Sequence, residues 1–272
     1  MDVRLLCQND LKNVLLKIEY DGTLYKGWQV QPRVATVEET IKSVLQKICQ
    51  SEIQIKSSSR TDSGVHARGQ VATVKIPDHV PLNKLFFSIN SLLPHDISVS
   101  NIVKVPPDFS ARFGNKGKRY IYQVLNSPIA RPLNHPFYHW IIAPLNIERI
   151  RQASHLFEGT HDFSAFRGKG CQQLNTIKTI HQISITENVK ADHKTIRISV
   201  EGDGFLRNMV RIMVGTLIDI GRGRLEMETV HRALSSGRRE EVGFTAPAKG
   251  LTLDKVFFDP DPFDGNQPYI WF

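Results

Sequence analysis

Hydrophobic and polar positions change period several times along the chain, and each change marks an element. Val14 to Tyr20 reads as a strand ended by Asp21-Gly22, and Thr23 to Pro32, with Tyr25 and Trp28, reads as a loop. A helix is predicted from Thr36, where Thr36 and Glu39 have capping-box spacing and Val37, Ile41, Val44, Leu45 and Ile48 form an apolar face. Ile53 to Ile55 and Val71 to Ile76 read as strands, Leu82 to Leu92 as a helix closed by Pro94, and Ile97 to Val105 as a further strand. The order β-α-β-β-α-β is the split unit of ferredoxin-like folds.

The second half repeats the pattern without repeating the residues. Tyr120 to Val124 is a strand with its tyrosines on one face, Asn146 to Glu158 a helix ended by Gly159, and Thr179 to Thr186 with Thr195 to Glu201 a strand pair. Leu206 to Ile220 is a strongly apolar helix, Thr229 to Ser235 a shorter one, and Leu251 to Phe258 the closing strand. The predicted fold class is α+β: two ferredoxin-like halves, residues 1–108 and 109–258, joined into one largely antiparallel sheet with helices on one face and a central basic cleft. Residues 259–272 form an unassigned tail.

With 40% hydrophobic and 23% charged residues among 272, the chain has an ordinary globular composition. Cys7, Cys49 and Cys171 are too few and too scattered for a disulfide framework or a metal cluster, which suits a reducing, cytoplasmic compartment. Met1 to Leu11 carries Asp2 and Asp10 without an apolar core, so it does not read as a leader. The most apolar run, Met209 to Ile220, is interrupted by Arg211 and Asp219 and is too short to span a bilayer, so a soluble protein with no membrane partner is expected.

Charge changes the picture more. The net charge is +8 and the pI about 9.4, an excess that favours a polyanionic partner. Arg112, Lys116, Lys118 and Arg119 are interleaved with Phe113, Tyr120 and Tyr122, and Arg207, Arg211, Arg222 and Arg224 form a second group. Cations mixed with stacking rings suit RNA better than a bilayer surface.

For chemistry, the histidines, among them His135, His139, His155 and His161, show no metal-ligand spacing, and there is no Cys-x-x-Cys. No metal and no cofactor are expected; Gly202-Asp203-Gly204 lacks the rest of a dinucleotide fingerprint. The stretch Ser57 to Ala67 stands out, because it hangs Arg60 and Asp62 between two strands with Gly64 to turn the chain. Alone, it also fits an aspartate that merely caps a turn beside a solvated arginine. Asp62-Ser63-Gly64 further invites an aspartic-protease reading, but that dyad needs a second copy, and surrounding cations would keep it ionised. A solitary carboxylate among arginines stays charged and can act as a nucleophile or electrostatic stabiliser. Arg207 and Arg211, four apart and read as one helical face, are available partners. A non-catalytic RNA-binding module would explain the charge but leave Asp62 without a role.

Several blocks together carry a resemblance. Arg60-Thr61-Asp62-Ser63-Gly64-Val65-His66-Ala67 resembles the signature of the tRNA pseudouridine synthase A family. So do Glu19-Tyr20-Asp21-Gly22 with Gly27-Trp28-Gln29, Phe109-Ser110-Ala111-Arg112-Phe113, Arg119-Tyr120-Ile121-Tyr122 and Gly159-Thr160-His161-Asp162-Phe163-Ser164-Ala165-Phe166. Phe205 to Gly215 and Ala246-Pro247-Ala248-Lys249-Gly250-Leu251 complete the set in family order. Ser58-Ser59 departs from the small residues, glycine included, that the family often carries there, and the tail from Asp259 matches nothing. The resemblance implies isomerisation of uridine to pseudouridine in the anticodon stem-loop of tRNA, without metal or cofactor. It makes Asp62 the nucleophilic carboxylate, Tyr120 the ring against the target base and general-base candidate, and Arg211 the ion partner of Asp62. Arg60 helps displace the base from its stack, and the family acts as a homodimer with each tRNA contacting both subunits. Arg112, Lys116, Lys118, Arg119 and Arg207 are the expected RNA contacts.

Overall fold

The computed structural model describes residues 10–134 and 136–265. Cys7, His135, the leader reading of the first nine residues and the tail beyond Gly265 lie outside the described residues. Two compact units share the chain: the first runs to Lys116 and resumes at Lys255, and the second covers Gly117–Asp254.

In the first unit the order is β1 (Leu11–Tyr20), α1 (Val37–Cys49), β2 (Ile55–Ser57), β3 (His66–Pro77), α2 (Leu82–Leu92) and β4 (Ile97–Val105). The antiparallel order β4-β1-β3-β2 is the expected split unit. Asn13 to Leu16 are buried without interruption, after which β1 alternates. The Asn13 carboxamide donates to the carbonyls of Pro106 and Phe109 at 2.9 Å each, tying segment 106–109 to the start of the strand. α1 begins where the pattern placed it but without the capping box: Thr36 is buried and its hydroxyl finds no partner. Its buried stripe ends on Cys49 rather than Ile48.

In the second unit β5 (Gly117–Asn126) is followed by a three-residue β6 (His139–Ile141), α3 (Ile147–His155), a short β7 (Gly159–Asp162), β8 (Ile177–Val189) and β9 (Lys194–Gly202). Then come α4 (Met209–Gly221), α5 (Glu228–Ser236) and β10 (Leu251–Phe257), whose last three residues belong to the first unit. The strand order is β10-β5-β9-β8-β7, with β6 added in parallel beside β5. β6 and β7 are too short for the period-two pattern to reveal. α4 is buried almost all round and forms the core of this unit.

Two boundaries differ from the sequence reading. Segment 109–116 groups with the first unit, because the Phe109 ring lies against Phe258 with centroids 5.7 Å apart and Lys116 N–H donates to the Phe257 carbonyl at 2.8 Å. α4 starts at Met209 because Asn208 takes a left-handed conformation, φ 60°. Arg207 therefore precedes the helix and does not share a helical face with Arg211. The start of the tail packs back on the first unit, where Phe258, Pro260 and Pro262 join Lys104, Pro106 and Phe109 around a cavity of about 290 Å³. Among the described residues, no helix is long and apolar enough to cross a membrane.

Candidate active site

The loop carrying Asp62 is fastened by the loop that follows β1. Trp28 N–H donates to the Thr61 carbonyl at 3.1 Å, and Gly64 N–H donates to the Tyr25 carbonyl at 3.2 Å. The hydroxyls of Thr61 and Tyr20 meet at 2.7 Å in a buried bond, and Val65 N–H returns to the Asp62 carbonyl at 3.1 Å, closing a turn around the acid. Two glycines let the loops approach. A Cβ on Gly22 would lie 2.0 Å from the Val65 carbonyl oxygen, and one on Gly27, φ 95°, would lie 2.6 Å from that of Thr61. On the other side, buried Gln70 receives the Ser58 hydroxyl at 3.0 Å and donates to the Ser59 carbonyl at 2.9 Å. Asp62 is thus half-buried on a backbone held from both ends, while Arg60 is exposed.

His66, 3% exposed, anchors the far end of the loop. Its Nδ1 lies 3.0 Å from the Asp21 carboxylate and 3.1 Å from Gly22 N. One ring nitrogen cannot serve both: protonated, it donates to Asp21, and bare, it accepts the Gly22 N–H. Burial alone would raise the Asp21 pKa, but the hydroxyl and N–H of Thr23, together with His66, hold it below the usual carboxylate value.

In the second unit, Tyr120 is 6% exposed on β5 and meets Phe205 edge to face at 5.2 Å. Arg211 lies in the first turn of α4. Its Nε donates to the Ala246 carbonyl at 2.7 Å and its Nη1 to Asn208 Oδ1 at 3.1 Å. Ala246 N–H donates back to the Arg211 carbonyl at 3.1 Å, so Ala246 and Asn208 together aim the guanidinium. Tyr122, two residues on from Tyr120, donates to the Pro247 carbonyl at 2.9 Å. Burial pushes its phenol pKa up, and Arg211 works in the opposite direction.

A family model described as tRNA pseudouridine synthase matches residues 17–114 and 153–259. The tRNA pseudouridine synthase A of Thermoanaerobacter sp. (strain X514) is 41% identical over 248 residues, 91% of this chain and 100% of that protein. The chain belongs to the tRNA pseudouridine synthase family. Similar proteins of that name come from Syntrophotalea carbinolica, 41% identical over 91% of this chain and 96% of its own, and Myxococcus xanthus, 40% identical over 91% and 92%. A solved Cbf5-Nop10-Gar1 complex aligns with a TM-score of 0.31 at 12% identity, covering 81% of this chain and 58% of that one, too low a score to carry an argument. As a family member the protein is an isomerase that forms pseudouridine in tRNA.

The cations expected to meet that tRNA are differently placed. Arg112 and Lys116 are exposed, Arg112 over the Phe113 ring at 5.4 Å. Arg207 is exposed on the turn before α4. Lys118 is half-buried on the Tyr120 face of β5; burial lowers its pKa to about 8, with Asp203 opposing and Lys178 adding to the shift. Arg119, also expected to contact phosphate, is partly exposed and already ion-paired. It points to the other face of β5 and is committed to Asp254 at 2.6 Å and Glu201 at 3.1 Å. Arg60, Asp62, Arg112 and Lys116 belong to the first unit; Lys118, Arg119, Tyr120, Arg207 and Arg211 belong to the second. Sequence reading gave no role to Tyr20, Gly22, Gly27, His66, Asn208 or Ala246. All six lie in the motif blocks quoted above, which was the available signal.

Proposed function

We propose that the protein converts uridines of the tRNA anticodon stem-loop to pseudouridine, with Asp62 as the nucleophilic carboxylate on a flipped-out nucleotide. The observation that carries the reading is the fastening of the Asp62 turn by the backbone of Tyr25 and Trp28 and the hydroxyl of Tyr20. A reacting group needs such preorganisation, and a solvent turn does not. In this reading Arg211, aimed by Asn208 and Ala246, is the ion partner of Asp62 and keeps it anionic. Tyr120 lies against the target base, and Arg60 reaches into the stack to displace it. Arg112, Lys116, Lys118 and Arg207 take phosphates of the RNA backbone.

The chemistry follows from the product. The C1′–N1 bond breaks, the base turns, and C5 bonds to C1′. C5 then releases its hydrogen as a proton and N1 gains one, so the composition is unchanged. Asp62 assists departure of the base either by attack on C1′ or by taking the C2′ proton, and Tyr120 receives the C5 proton. Extrusion of the nucleotide costs a few kcal/mol, about what stacking on rings and phosphate contacts return. Water has to be excluded while the base is detached. As in the family resemblance, the working form is a cytoplasmic homodimer in which each tRNA touches both subunits.

The test uses unmodified tRNA transcripts and pseudouridine-selective derivatisation to map the product. Pseudouridine confined to the anticodon stem-loop is expected; product elsewhere, or none, overturns the substrate assignment. A double-mutant cycle between Asp62→Asn and Arg211→Gln tests the ion pair. Strongly non-additive losses in rate are expected, and additive losses remove Arg211 from the role.

A further inference from the structure

The β1–β3 ladder closes on the pair Tyr20 and Ala67. One step further the same register sets Asp21 opposite His66, where both chains turn off into the loops that carry the candidate site. There a side-chain contact takes over from the ladder. His66, 3% exposed, holds its Nδ1 3.0 Å from Asp21 Oδ1. That same oxygen accepts the Thr23 hydroxyl at 2.6 Å and the Thr23 N–H at 2.9 Å. Asp21 N–H donates to the Asp96 carbonyl at 2.9 Å. The carboxylate is therefore fixed from its own loop and from β4 before it meets the ring.

These distances decide where the ring carries its hydrogen. A bare Nδ1 would accept the Gly22 N–H, 3.1 Å away, but its lone pair would then face the Asp21 carboxylate at 3.0 Å. With a hydrogen on Nδ1 the ring donates to a charged oxygen, the stronger of the two bonds. Asp21 thus sets which state Nδ1 takes, and with it the angle of the imidazole. The path from there to the candidate nucleophile is short. Val65 is joined to His66 directly, and its N–H bonds to the Asp62 carbonyl at 3.1 Å. Gly22 braces the Val65 carbonyl from the other side, where a Cβ would stand 2.0 Å from the oxygen. A ring that turned would carry Val65, and the turn around Asp62, with it. Two apolar side chains could close the ladder at no such cost, because an imidazole buried against a carboxylate gives up water on both.

We propose that His66 and Asp21 are positioning residues for the isomerisation. The Asp21 carboxylate holds the hydrogen on His66 Nδ1, and the oriented ring fixes Val65 and hence the reach of Asp62 toward C1′ or the C2′ proton. Neither residue touches the nucleotide. The inference rests on the reading of Asp62 as the reacting carboxylate and deepens it by naming what holds that group in place.

The experiment compares the full chain with His66→Asn, His66→Gln, Asp21→Ala and the last two combined. Asparagine presents a donor near the place of Nδ1, whereas glutamine carries its amide out to that of Nε2. Single-turnover pseudouridine formation at saturating tRNA is expected to fall about tenfold or more in His66→Gln and Asp21→Ala, and His66→Asn to recover most of that loss. Affinity for tRNA stays within about twofold in all of them, since the change is in the placement of Asp62 and not in the phosphate contacts. The double variant is expected to lose no more than the worse single one, as for two groups acting as a unit. By NMR, His66 Nδ1 is expected to carry a hydrogen in wild type at pH 7 and to become a bare acceptor in Asp21→Ala. Urea curves set the temperature at which each variant is folded. Should His66→Gln fail to fold, Asp21→Ala carries the test, its side chain being 34% exposed in wild type. Glutamine as active as asparagine at position 66, a folded Asp21→Ala at the wild-type rate, or a bare Nδ1 in wild type would each overturn the pairing. If that happens while Asp62→Asn is inert, the positioning role alone is refuted; an active Asp62→Asn would instead remove the reading beneath it.

Discussion

Gly22→Ala probes whether the fastening of the Asp62 turn governs catalysis. The added methyl would lie 2.0 Å from the Val65 carbonyl oxygen, 2.6 Å from its carbon and 3.2 Å from its nitrogen. Ordinary contact begins near 3.4 Å, so the two backbones must separate by about 1.4 Å unless the loop rotates, and both are main chain, which yields less easily than a side chain. Val65 N–H bonds to the Asp62 carbonyl, so a shift of Val65 is passed to the acid. Overpacking of this kind costs about 1–3 kcal/mol of stability. A reacting group displaced by about 1 Å loses on the order of 10²-fold in rate, about 2.7 kcal/mol of barrier. Arg112, Lys116 and Arg207 are untouched, so tRNA affinity and its salt slope are expected to stay within twofold. The assay is single-turnover pseudouridine formation at saturating tRNA, at a temperature where denaturant curves show the variant more than nine-tenths folded. A folded Gly22→Ala enzyme with a wild-type single-turnover rate would refute the argument that this contact sets the position of Asp62.

Three further outcomes follow from the same geometry. Asn208→Gly removes the Oδ1 bond to Arg211 but preserves the left-handed backbone, so it is expected to fold and to lose at least about tenfold in rate; unchanged turnover would show that Asn208 does not aim Arg211. Lys118, with a pKa lowered to about 8, sheds its charge as pH rises from 7 to 9, so wild-type affinity for tRNA should fall several-fold across that interval while Lys118→Arg stays level; parallel curves would remove Lys118 from the interface. His139 titrates near 4 when folded and near 6.5 when unfolded, so the unfolded chain binds more protons between those values and stability falls as pH drops from 6.5 to 4. Discounted for partial exposure, the loss is about 1–2 kcal/mol, measured as a smaller difference between urea curves at pH 7 and pH 4.5 in His139→Gln than in wild type.

Much of the fold was legible because its cores are periodic. α2 and β4 occur where the apolar spacing placed them, and α1, α5 and β10 begin or end within a residue of it. Legibility failed where backbone geometry overrode side-chain pattern. Asn208 leaves the helical region although the apolar run begins at Leu206, so Arg207 was misplaced onto a helix. β3 reaches back to His66 through residues whose alternation is hidden by the motif they carry. At the candidate site, Asp62, Tyr120 and Arg211 were recognisable as reactive residue types in motif blocks. The groups that hold them were not, because Gly22 and Gly27 act through the absence of a side chain, and Tyr25, Trp28 and Ala246 act through their backbones. The commitment of Arg119 to Glu201 and Asp254 was hidden for another reason: the partners lie 82 and 135 residues away in sequence.

The central claim is that the Asp62 carboxylate, and no other group, drives departure of the base. It is tested most directly by tritium release from tRNA labelled at C5 of uridine, comparing wild type with Asp62→Asn. The mutant is expected to bind tRNA with unchanged affinity and salt slope and to release tritium at least about 10⁴-fold more slowly, about 5 kcal/mol of barrier. Release by a folded Asp62→Asn enzyme within tenfold of the wild-type rate would contradict the account.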